Sequence, residues 1–311
     1  MYPPRLQSNK KINWEGLIYV NLALSLICLV LLLNGLPLRH PASSPLISGS
    51  SLPVKFYSAE KFQKSIARSK LLADTYPKSK TIFAAVVPHD LSHAEYLAYF
   101  FQNLSRQNPS LVVLIGPNHW EAGSHQIQSA SQNWSTAFGS IETDKKMLQE
   151  LTKSVPVKDD PSVLYNEHSI SGLIPYLAYY LPGTKVLPLT VKSELNLTGI
   201  RQLSNKLTAL LPSDAVVVAS VDFSHFLTSA EADKNDRFSE AALSSLNAFD
   251  IISLGARFND YLDSPPSIGI LLTWLKQNKI SHHKLLFHAN SGKLANNYTD
   301  PVTSYFVMAY Y

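Results

Sequence analysis

Runs of consecutive apolar residues at 81–87, 111–115 and 215–221 set the frame of the chain. None alternates with polar residues, and Val, Ile, Leu and Ala dominate them. Each run therefore predicts a strand buried on both faces. Between the runs the period changes. Residues 58–74 space Phe62, Ile66, Leu71 and Leu72 among Lys, Arg and Glu, as an amphipathic surface helix does. A helix at 91–106 gathers Leu91, Tyr96, Leu97 and Phe100 on one face. Another at 143–153 opens on Thr143 or Asp144 as cap. Asn166-Glu167-His168-Ser169 precedes a helix carrying Leu173, Ile174, Leu177 and Leu181. Helices at 197–211, 230–248 and 267–278 and strands at 185–191, 284–288 and 303–309 complete the pattern. Pro188 suits an edge strand or a bulge. Strand and helix alternate with no repeat and no low-complexity tract. The pattern predicts an α/β fold, a three-layer sandwich with a mainly parallel central sheet covered on both faces.

Ahead of this block the pattern is different. Residues 1–15 form a polar tail, and residues 16–38 contain no charged side chain. That run is long enough to cross a hydrocarbon core as one helix. Trp14 and Tyr19 lie near its first boundary, where aromatic rings favour the interface. A cleaved signal peptide is the competing reading, but no small-x-small site closes the run. The expectation is an uncleaved transmembrane anchor at 16–38. Arg5, Lys10 and Lys11 precede it and Arg39 follows, which places the N-terminus in the cytoplasm and the main domain outside. Residues 39–50, with Pro41, Pro45 and several serines, read as a linker to a domain at 51–311.

Composition narrows the function. Lys and Arg are scattered and the net charge is only +4, so nucleic acid is not an expected partner. The single cysteine, Cys28, excludes an intrachain disulfide and a thiolate zinc site.

The candidate chemistry lies where the apolar runs end. The first ends in Pro88-His89-Asp90, the second in Gly116-Pro117-Asn118-His119, and the third in Asp222-Phe223-Ser224-His225. One such His reads equally well as a turn residue bonding a loop carbonyl. Three of the ten histidines at equivalent strand ends read as a site, because parallel strands bring their carboxyl ends to one rim, where ligands bind. His168 joins them as a candidate, with Asp90, Asp222 and Asp263 as carboxylates. Nitrogen and carboxylate ligands without thiolate suit non-haem iron or a similar first-row ion.

These pieces resemble the MEMO-like family, the AmmeMemoRadiSam system protein B type, which is similar in fold to class III extradiol dioxygenases. The resemblance covers nearly all of 51–311. It rests on Phe56-Tyr57-Ser58, Pro88-His89, Gly116-Pro117-Asn118-His119, Asn166-Glu167-His168-Ser169-Ile170, Ser220-Val221-Asp222-Phe223-Ser224-His225, Ser267-Ile268-Gly269-Ile270-Leu271-Leu272 and Thr303-Ser304-Tyr305. It implies metal ligands at His89 and His119. The family's third ligand is commonly a cysteine; Asp263 falls at that point here, with Ser264 the alternative if the loop shifts by one. The set would then be the two-His, one-carboxylate triad of non-haem iron(II) oxygenases. Asp263 reads equally as an N-cap for the helix after Pro265-Pro266. The resemblance also implies His225 as general acid or base, Asp222 as an orienting carboxylate and His168 at the pocket. His168 otherwise reads as a helix-start residue. Trp120 and Phe226, next to site histidines, read as packed aromatics or pocket walls. The chain departs from the family at Asp90-Leu91-Ser92-His93 and at Ser171 and Leu173, where the family commonly has small residues with Gly, and an acid and a second His.

The implied function is a membrane-anchored metal redox enzyme or oxygenase acting on a small molecule or peptide. Iron(II) is the first choice of ion, with copper or zinc as the others. A binding module without catalytic activity and a zinc-dependent hydrolase are the alternatives.

Overall fold

The computed structural model describes residues 51–254, 260–298 and 300–311. In chain order the elements are β1 (Ser51–Pro53), α1 (Ala59–Ser69), β2 (Ala84–Val87), α2 (Glu95–Leu104), β3 (Leu111–Pro117), β4 (Ile127–Ser129), β5 (Asn133–Thr136), β6 (Gly139–Ile141), α3 (Lys145–Thr152), β7 (Val157–Asp159), α4 (Pro161–Asn166), α5 (His168–Ser171), α6 (Ile174–Tyr180), β8 (Lys185–Val191), α7 (Leu197–Leu210), β9 (Val216–Ser220), β10 (Phe223–Leu227), α8 (Ser229–Ser244), α9 (Ala248–Leu254), α10 (Pro265–Gln277), β11 (His283–Asn290), α11 (Ser291–Ala295) and β12 (Val302–Tyr310).

The large sheet runs β10-β12-β2-β9-β3-β8-β4-β7, with β11 also paired to β12. Its centre, β2-β9-β3-β8, is parallel and in register, so Val87 lies beside Ser220 and Pro117 beside Val191. The apolar runs are buried on both faces, as their lack of alternation requires. Ala84, Val86, Val113, Ile115, Val217 and Ala219 pack on one face with α7 and α10. Ala85, Val87, Val112, Leu114, Val216 and Val218 pack on the other with α1, α2 and α6. Burying one Val or Leu side chain fully is worth roughly 1.5–3 kcal/mol. That gain holds the strands rigid while their carboxyl ends carry polar groups. A small sheet, β1-β5-β6, stands apart from the large one.

Four expectations are corrected. The sheet is mixed rather than mainly parallel. The pairs β10/β12, β11/β12, β12/β2 and β4/β8 are antiparallel. Connection length explains one of these pairs: β11 returns as β12 after one short helix. Parallel neighbours need a crossover of a dozen or more residues. The transmembrane helix ahead of the fold is not upheld, because no helix among the described residues is long and apolar enough to cross a membrane. The single-pass localisation, with the main domain outside the cytoplasm, falls on the same finding. The run at 16–38 that carried both expectations lies outside the described residues. Pro188, finally, is neither at an edge nor in a bulge. It sits in β8 between β3 and β4, one residue before the β4 pairing begins at Leu189. Val186 two residues earlier donates its N–H to the Glu142 carbonyl on that side. The missing N–H of Pro188 therefore falls in the gap between the two pairings.

Candidate metal centre

The carboxyl rim of the parallel strands delivers the first two imidazoles. β2 ends at Val87, and His89 follows with its side chain 2% exposed. Asp222, just past β9, fixes this turn by accepting the His89 N–H on Oδ1 at 2.9 Å and the Asp90 N–H on Oδ2 at 3.0 Å. β3 ends at Pro117, and Asn118 ties the following turn by donating its N–H to the Val191 carbonyl and pairing both side-chain ends with Ala122. His119 sits in that turn. Gly116 is required for what packs above it. A Cβ there would lie 2.5 Å from Ser169 Oγ and 2.9 Å from Ser169 Cβ. The missing side chain lets α5 close down on β3 and brings Glu167 and His168 against His119.

Asp263 arrives from a different direction. Its N–H donates to the Asp222 carbonyl at 3.1 Å, and Leu262 bridges Phe223 of β10. The helix cap is its neighbour, Ser264, whose Oγ accepts from Ser267 N–H at the start of α10. Asp263 is thus released from capping and its carboxylate turns inward.

There the three groups meet. Asp263 Oδ2 lies 3.0 Å from His89 Nε2 and 3.4 Å from His119 Nε2. The opposite ring nitrogens are committed. His89 Nδ1 faces the Ser220 carbonyl at 3.2 Å, and His119 Nδ1 faces Glu167 Oε1 at 2.8 Å. Acceptors at both Nδ1 positions keep one proton on each ring there, so that Nε2 presents to the carboxylate either a second proton or a lone pair that holds another cation. The Asp263 carboxylate favours a cation in that place, a proton on Nε2 in the metal-free chain or a metal ion instead of it. Neither Asp263 oxygen receives a hydrogen bond among the described residues, although both are buried. Two ligands on one ion with bonds near 2.1 Å lie about 3.0 Å apart at a right angle and about 3.4 Å apart in a tetrahedron. The donors, their spacing and their unsatisfied oxygens therefore fit a divalent first-row ion. Overlapping triplets capable of holding an ion are His89, His119 and His168, and His89, Asp222 and Asp263.

The electrostatics point the same way. Burial disfavours charge on His89, but the Asp222 and Asp263 carboxylates override it and push the imidazole up to about 10. His119 is pushed up to about 9 against its burial by Asp263 and Glu167. Burial works to raise Asp263, yet the His89 and His119 imidazoles hold it well below the usual carboxylate range. A pocket that draws protons this strongly draws other cations, which compete with them. Asp222 is pushed up to about 7, by burial first and then by Asp263.

His168 joins the cluster. Its ring stacks on His119 with centroids 4.3 Å apart and meets His89 at 5.1 Å. Burial and the neighbouring imidazoles push it down to about 4. His225 lies in β10, where the pairing with β12 shifts register on both sides of it. Such bulges re-aim side chains. Its Nδ1 is buried without a partner, and burial lowers its pKa while Asp263 opposes the shift. Asp90 is not part of the cluster; it accepts hydrogen bonds from Ser92 N–H and Tyr305 Oη–H. His93 pairs with Glu95 instead. Trp120 and Phe226 do not pack: they are 72% and 78% exposed beside their histidines, and Phe226 holds φ at 60°, rare for an aromatic residue.

Glu167 is the main residue that sequence reasoning passed over. Its carboxylate accepts from His119 N–H, His119 Nδ1–H and Ser169 N–H, at 2.8–2.9 Å, and is fully buried. The available signal was an acid directly before His168, within the Asn166-Glu167-His168-Ser169 stretch that precedes an apolar helix. Ser220, whose carbonyl fixes His89, was likewise quoted without a role.

An α/β sheet with imidazole and carboxylate donors gathered at its carboxyl rim could hold a metal ion. The description "Memo-like protein" matches residues 50–309, and the chain belongs to that family. A MEMO1 family protein of Methanopyrus kandleri is 26% identical over 271 residues, covering 83% of this chain and 95% of the relative. One from Pyrobaculum aerophilum is 26% identical over 207 residues, covering 65% of this chain and 73% of the relative. One from Methanosarcina mazei is 29% identical over 237 residues, covering 73% and 85%.

Proposed function

We propose that this chain is a non-haem iron redox enzyme of the oxygenase type, with His89, His119 and Asp263 as its metal ligands. The observation that carries the reading is the buried Asp263 carboxylate, faced at 3.0 and 3.4 Å by the Nε2 atoms of two imidazoles whose other nitrogens are held from behind by acceptors. When bound, the ion would supply open coordination positions and one-electron chemistry. The chain's own groups do the rest. Glu167 and Ser220 orient the ligating imidazoles. Asp222 holds the turn that carries His89. His225, neutral and with a free Nδ1, takes or gives a proton at that atom. Trp120 and Phe226, exposed next to His119 and His225, would offer apolar faces to an organic substrate, a small molecule or a peptide.

Elemental analysis of the chain purified without oxygen tests the reading. About one iron per chain supports it. One zinc per chain overturns it in favour of a hydrolase, and no metal after reconstitution overturns both.

A further inference from the structure

We propose that His168 is a fourth protein ligand to the ion, giving three imidazoles and one carboxylate. The inference rests on the metal-site reading above. Ligand-capable atoms of His89, His119 and His168 all lie within 4.8 Å of one another. Two ligands on one ion can stand up to about 4.2 Å apart, twice a bond of roughly 2.1 Å. The remaining distance closes when the His168 ring turns toward the ion.

Orientation carries the argument further. The His119 and His168 rings are inclined by only 24°. Both present Nδ1 to the same oxygen, Glu167 Oε1, at 2.8 and 3.4 Å. With both Nδ1 atoms turned to one anion the Nε2 atoms lie on the same side, and because the lone pairs lie in the ring planes the His168 ring must turn out of the stack to reach the ion that His119 binds. That side is known for His119, whose Nε2 faces Asp263 Oδ2 at 3.4 Å. Phe56 stands 5.7 Å from the His168 ring and limits its swing. The chain sequence agrees with this arrangement. His168 opens α5, and Ser169 beside it is locked by donating Oγ–H to the Pro117 carbonyl and accepting the Ser220 Oγ–H on its own carbonyl. The turn that carries His168 is thus bolted to the two strand ends that serve His89 and His119.

The consequence is chemical. Four protein ligands leave two positions on a six-coordinate ion rather than three. A substrate that chelates through two atoms would fill both. The site therefore selects substrates that reach the ion through a single donor atom.

Cobalt(II) is the probe, because its visible absorption reports ligand number and type without turnover. The chain is titrated with cobalt(II) alongside His168→Ala and His168→Phe, the latter keeping a ring in the stack on His119. The expected result is one cobalt per wild-type chain. Both variants should lose at least about tenfold in affinity and change the absorption bands. Free imidazole should restore the wild-type spectrum to His168→Ala. Wild-type binding with unchanged affinity and spectrum in both variants would overturn the fourth ligand and leave the triad standing. Failure of the wild-type chain to bind cobalt would instead bring down the metal site itself, and this inference with it.

Discussion

Replacing Glu167 by Gln isolates the support of the site from its ligands. The carboxylate accepts three N–H groups, from His119 backbone on Oε2 and from His119 Nδ1 and Ser169 backbone on Oε1. Gln has one oxygen. If that oxygen stays at Oε1, the amide NH2 faces the His119 backbone N–H, and one buried donor loses its acceptor. If the amide flips, the NH2 faces His119 Nδ1 and drives the ring proton to Nε2, which removes the lone pair that should hold the ion. A lost buried acceptor costs about 1–3 kcal/mol. Loss of an orienting partner behind a ligating His costs about 10–100-fold in metal affinity. Urea unfolding of the metal-free chain and anaerobic iron(II) titration against a chelator read the two effects separately. Affinity within about twofold of wild type, with unchanged stability, would refute the tautomer argument.

Other expectations follow from neighbouring contacts. Gly116→Ala places a Cβ against Ser169 and should cost about 1–3 kcal/mol by overpacking, with weakened metal binding because α5 must lift; calorimetry and metal titration check both. Ser264→Ala should lower stability by about 1 kcal/mol through loss of the α10 cap and spare the metal, as unfolding and titration in parallel will show. The metal-free chain should lose stability as pH rises. His89 and His119 bind their protons more tightly folded than unfolded, so their contribution is complete below the ordinary histidine value near 6.5 and disappears as pH passes about 9 to 10. Asp222, pushed up to about 7, finishes its titration before the upper part of that window. Melting temperatures above pH 7 should fall less steeply in His89→Gln, and equal slopes would contradict the assignment.

The sequence exposed those parts of the site that depend on strands. Unbroken apolar runs demand burial on both faces, parallel packing follows for β2, β9 and β3, and their ends must share a rim. His89 and His119 were legible for that reason. The antiparallel margin was not, because β12 pairs with β10 and β2 from distant parts of the chain and such pairing leaves no periodic trace. Asp263 was ambiguous in sequence, since an Asp before Pro265-Pro266 satisfies a cap as well as a ligand. Only the structure shows Ser264 taking the cap. Glu167 stayed hidden because its role depends on α5 sitting over Gly116, a contact between residues far apart in the chain. Trp120 and Phe226 were left between packing and a pocket wall, and the structure exposes both, Trp120 in the turn after β3 and Phe226 within β10 at a positive φ.

The central claim is that Asp263 completes a metal site with His89 and His119. Anaerobic iron(II) titration of the chain beside Asp263→Ala, with thermal unfolding of both metal-free forms, tests it most directly. The expected result is one iron per wild-type chain and a loss of roughly two or more orders of magnitude in affinity for Asp263→Ala, with its fold retained. Equal iron affinity in the two proteins would contradict the claim.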